Sequence, residues 1–125
     1  MVEDARSGPV ATQLRARLSA DLRTAMRARD HAATAAIRSL AGALDNAEAV
    51  DAPERSSIDP PLVGHGAGEA PRRVLDAATV RSLLDREIID RDDAVREYRQ
   101  LGQDDAAERL DAEAAVLRRY VDTWT

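Results

Sequence analysis

Apolar residues recur at every third or fourth position over two long stretches of this chain, and proline and glycine break the run between them. That pattern leaves room for little besides paired helices. In the first stretch, Leu14, Leu18, Leu22, Ala25 and Met26 share an arc of about 120°, which predicts an amphipathic helix over 12–29. Asp30 is placed to cap a second helix, whose inner face carries Ala33, Ile37, Leu40, Ala41, Leu44 and Ala47. So short a turn makes the two an antiparallel hairpin, with Leu22 facing Leu40 and Leu18 facing Leu44.

The second stretch repeats the plan. Asp76 is the predicted cap of a third helix running to about Leu101, and Gly102 is its stop. Asp105, followed three residues later by Glu108, reads as a capping box for a fourth helix to about Val121. Its apolar row is Ala107, Leu110, Ala114, Leu117, Val121 and Trp124, against Val80, Leu84, Ile88, Val95, Tyr98 and Leu101. Pro53, Pro60, Pro61, Gly64, Gly66, Gly68 and Pro71 exclude regular helix from the connector. The expectation is an all-α fold of two antiparallel helical hairpins, four main helices in one domain over 1–125. A flexible tail spans 1–11, hairpin one 12–50, a mobile loop 51–75 and hairpin two 76–125.

Composition agrees and removes several chemistries. The chain has 25 Ala and 18 Arg, with no Lys, Cys or Phe. Ala, Leu, Arg and Glu favour helix, and small side chains let helices approach closely. Without Cys there is no disulfide, no thiolate zinc site and no thiol nucleophile. No apolar run is long enough to span a membrane, and the acidic start Met1-Val2-Glu3-Asp4 is unlike a signal peptide, so a cytoplasmic location is expected. A net charge of −5 argues against general nucleic-acid affinity, and no DNA partner is expected.

The third helix carries a fault in its apolar seam, which reads Val80, Leu84, Glu87, Arg91, Ala94, Tyr98, Leu101. Glu87 and Arg91 sit at its centre, four apart with Glu first, the favourable order for an intrahelical pair. Turn symmetry places Arg91 near Glu113, and Glu87 near Arg118 or Arg119. A polar layer that fixes register explains this most simply; a binding site between the hairpins is the alternative.

Basic residues gather on hairpin one, where Arg15, Arg17, Arg23, Arg27, Arg29 and Arg38 outnumber Asp21 and Asp30. A solvated helix face is the ordinary explanation. The functional one is a strip built on Arg15, Arg23, Arg27 and Arg38 that docks phosphate or an acidic partner. Hairpin two is acidic, which allows head-to-tail pairing of copies. The catalytic inventory is short. His31 and His65 lack partners at metal-ligand spacing, so no metal and no cofactor is expected. Gly64, Gly66 and Gly68 follow no strand and lack the Gly-Lys-Ser/Thr ending of a phosphate loop. No triad or nucleophile elbow is visible, so no catalytic residue is assigned.

Leu18-Ser19-Ala20-Asp21-Leu22-Arg23-Thr24-Ala25-Met26-Arg27-Ala28-Arg29-Asp30 resembles the opening of the YqeY-like (GatB/YqeY domain) family. Ile37-Arg38-Ser39-Leu40, Leu44-Asp45-Asn46-Ala47-Glu48, the Glu87-Ile88 pair with Arg91, and the turn from Tyr98 to Glu108 are similar to its later segments. Glu113, Leu117 and Tyr120 resemble its last helix, so the likeness covers roughly 14–121. Typical members continue past a Tyr-Leu-Pro into a small C-terminal helical domain. Here Tyr120-Val121-Asp122 is followed by only three more residues, to Thr125, which resembles the short actinobacterial type lacking that domain. The resemblance implies a helical accessory or binding protein, linked to glutamine-dependent tRNA amidotransferases, which are carbon–nitrogen ligases with glutamine as amido donor. Its implied partner is tRNA or a translation-related protein. The alternative is a non-catalytic protein–protein interaction module or a homo-oligomer. Nothing in the sequence specifies the oligomeric state.

Overall fold

The computed structural model describes residues 8–49 and 73–124. They form α1 (Gly8–Arg27), α2 (His31–Glu48), α3 (Ala77–Gln100) and α4 (Asp104–Trp124), with no strand among the described residues. The all-α arrangement of helical hairpins expected from the periodicity is what the chain adopts. The expected mobility of the connector concerns residues mostly outside the described ones. So does the expected flexible tail, except at its end: α1 begins at Gly8, four residues before the periodicity placed it. Pro9 is compatible with the first helical turn, where its missing N–H is no loss, and Ala11 is buried while Val10 packs on the core.

Both hairpin turns close in the same way. Asp30 N donates to Ala25 O at 2.9 Å and Arg29 N to Met26 O at 3.2 Å. Gln103 N donates to Tyr98 O at 2.8 Å and Gly102 N to Arg99 O at 3.1 Å. Each pair is a Schellman motif, which needs a left-handed residue one position past the helix cap. Gly102 fills that place at φ 76°, as its position in the sequence predicts. In the first turn the left-handed residue is Arg29, at φ 57°. A side chain there is strained where glycine is not. Arg29→Gly is therefore expected to raise the unfolding free energy by about 1 kcal/mol, read from denaturant midpoints.

The starts of α2 and α3 are capped as predicted. Asp30 accepts from Ala33 N at 3.0 Å, and Asp76 from Thr79 N at 2.9 Å. The Thr79 backbone N–H holds the Asp76 carboxyl below its usual range, helped by the Thr79 side chain and, more weakly, by Arg73. Because the folded value is lowered, this contribution is present at neutral pH and lost as pH falls through the folded value. Asp76→Asn should thus show a smaller acid-induced fall in its urea midpoint than the unsubstituted protein. The capping box proposed for the fourth helix is not formed. The helix starts at Asp104, with Ala107 N bonded to Gln103 O at 3.1 Å, so Asp105 lies inside the first turn. Asp104 and Asp105 there still complement the helix dipole.

α3 and α4 pack along their lengths, and α2 contacts all three other helices. Leu14, Leu40, Leu44, Leu84 and Leu117 are fully buried at this junction. Leu75, assigned to the connector by sequence, is also buried, and Arg73 N bonds Glu48 O at 3.0 Å, so the end of that segment is tied to α2. α4 buries a second face, Val116 and Tyr120, because it meets α2 as well as α3. Leu101 and Met26, placed on apolar rows by periodicity, are 68% and 51% exposed, since both rows run out at the hairpin tips.

Candidate functional site

The fault in the third helix becomes a linked polar layer across three helices. Arg91 Nε donates to Glu113 Oε1 at 2.9 Å, and Arg91 Nη1 to Glu87 Oε1 at 3.0 Å and to the Glu87 carbonyl at 3.1 Å. Ser39 of α2 donates its hydroxyl to Glu87 Oε1 at 2.6 Å. The three charged side chains are only 14–16% exposed. The predicted contacts of Arg91 with Glu87 and Glu113 are both formed. The predicted approach of Glu87 to Arg118 or Arg119 is not among the bonds that hold it. Arg118 pairs instead with Asp92 at 2.5 Å, and Arg119 borders a cleft beside Tyr120. Five and six residues after Glu113, these arginines point away from the seam that Glu113 and Leu117 share. An arginine bridging two carboxylates, with a hydroxyl on one of them, can hold helices in register.

The arginines of hairpin one do not form one strip. Arg15 is turned inward between α1 and α2, where Nη2 lies 2.8 Å from both Asp45 and Glu48. Arg38 leans on Met26, Nη2 to Sδ 3.8 Å. Arg17 sits over the Tyr120 ring, 5.7 Å from its centroid, and 3.7 Å from Asp21. Arg23 and Arg27 project from the exposed side of α1, and Arg29 from the turn, all three exposed. Among the described residues, no acid pairs with any of these three.

A cleft of about 280 Å³ lies between α1, the start of α2 and α4. Arg17, Asp21, Asp30 and Arg119 border it, over a floor that includes Ala25, Ala28, Ala33 and Val116. Alanines make the space, because larger side chains would fill it. Tyr120 closes one wall, its hydroxyl donating to Asp21 Oδ2. Burial, then this hydrogen bond, pushes the Tyr120 hydroxyl well above its usual range, so it stays protonated and ties α4 to α1. Sequence pattern does not reveal this cleft, because its residues come from three helices.

His31 is exposed at the start of α2, and His65 and the glycines at 64, 66 and 68 lie outside the described residues. Among the described residues no three His, Asp or Glu side chains gather as a metal site, and no helix is long and apolar enough to cross a membrane. No family model, curated protein or solved structure matches the chain.

Proposed function

We propose that the chain is a YqeY-like accessory protein of the cytoplasm that docks tRNA through the outer side of hairpin one and carries out no catalysis itself. The kinship rests on the motifs from Leu18 to Tyr120, and with it comes the link to glutamine-dependent tRNA amidotransferase. Arg23, Arg27 and Arg29, exposed together without acidic partners among the described residues, are the observation that carries the docking. Free guanidiniums on one exposed end suit phosphate oxygens, which they can grip in pairs. The strain at Arg29 points the same way, since glycine would close that turn at lower cost. Arg15 leaves the binding set, because Asp45 and Glu48 already hold it.

A pull-down from cell extract, scored for RNA and protein together, tests this. The unsubstituted chain should recover tRNA, and a chain with Arg23→Glu and Arg27→Glu should not. Recovery of protein alone, or of equal RNA by both chains, would reject the reading.

A further inference from the structure

A groove of about 450 Å³ runs between α1 and α2, with Leu22, Ile37, Ala41 and Gly42 among its lining residues. No residue of α3 or α4 lines it. A Cβ built on Gly42 meets nothing within 4 Å, so the groove is open at that point. Arg38 lines it, as do Arg15 and Asp45, which neutralise each other as a pair, and Arg23 is exposed on the same helix, α1. At the opposite hairpin, the α3–α4 turn presents Leu101, 68% exposed. Asp104, Asp105 and Glu108 follow it, all exposed, and outnumber Arg109. Hairpin one thus offers a largely apolar slot carrying Arg38, and hairpin two an apolar knob with an acidic collar.

We propose that the groove of one copy receives the α3–α4 turn of a second copy of this chain. Leu101 enters beside Gly42, and Asp104 and Asp105 meet Arg38 and Arg23. Knob and slot belong to different hairpins, so each copy can give one and accept one. Such a contact is heterologous and grows into head-to-tail chains. The patch is small, which sets the affinity on the order of 0.1 mM. This inference does not depend on tRNA docking, and its test alters none of the arginines.

Sedimentation equilibrium of RNA-free protein separates the outcomes. The unsubstituted chain should show an average mass that keeps rising with concentration. Gly42→Leu fills the slot where space exists and improves helix propensity, so the fold is kept, which far-UV circular dichroism checks. Leu101→Asp removes the knob at an exposed position. Each variant alone should stay at the mass of one copy, having weakened self-association about tenfold or more. Mixed in equal amounts, they should form a complex that stops at two, because the Gly42→Leu chain keeps a knob and the Leu101→Asp chain keeps a slot. The proposal is overturned by an unsubstituted chain that remains a monomer at about 1 mM, roughly ten times that dissociation constant. It is equally overturned by variants that associate like the unsubstituted chain, or by a mixture without dimers.

Discussion

Replacing Arg91 with alanine is expected to lower the unfolding free energy by about 3 kcal/mol. The substitution leaves Glu87 and Glu113, 16% and 14% exposed, facing the same gap with no counter-ion. Ser39 would remain as a donor to Glu87 alone. Water reaching the gap offsets part of the cost, which keeps the loss at the lower end for buried pairs. Urea denaturation at neutral pH measures it. A loss below about 0.5 kcal/mol would mean that the layer behaves as an exposed ion pair. Replacing all three charges together, by Glu87→Leu, Arg91→Met and Glu113→Leu, should restore most of the stability. If the triple variant still recovers tRNA, the layer is a register device and not the binding site.

Leu40→Ala is expected to cost about 3 kcal/mol. Leu40 is fully buried on α2, the helix that contacts all the others. The core contains little that could move in to fill the space, because alanine supplies many of its members, including Ala25, Ala33, Ala36, Ala107 and Ala114. For a domain whose total stability is about 5–15 kcal/mol, such a loss removes roughly a fifth to three-fifths of it. Thermal melting followed by circular dichroism should show a large downward shift. A shift of only a few degrees would place α2 outside the cooperative core.

The features that could be read from sequence are those with a local chemical signature. Asp30, Asp76 and Gly102 each mark a helix end by a residue type suited to that backbone, and each is found there. Glu87 and Arg91 stood out because charge interrupts a seam, and hairpin symmetry then pointed to Glu113. Ser39 could not be found that way, since its bond to Glu87 depends on how one hairpin lies against the other. The same holds for Val116 and Tyr120, which pack against elements beyond their own hairpin, and for the cleft around Tyr120. Arg29 gave no signal at all: nothing about an arginine announces a left-handed backbone. The basic strip was legible as composition but not as geometry. Spacing alone could not show that Arg15 turns inward to Asp45 and Glu48 while Arg23 and Arg27 face outward.

Docking of tRNA by the outer side of hairpin one is tested most directly by titrating labelled tRNA with the purified chain at several salt concentrations. Binding through a few phosphate contacts should weaken as salt rises, with a logarithmic slope of about −0.9 for each contact. Arg23→Glu with Arg27→Glu should abolish binding at low salt while leaving the melting transition in place. Failure of the unsubstituted chain to bind at low salt, or an affinity indifferent to both the salt and the double substitution, would contradict it.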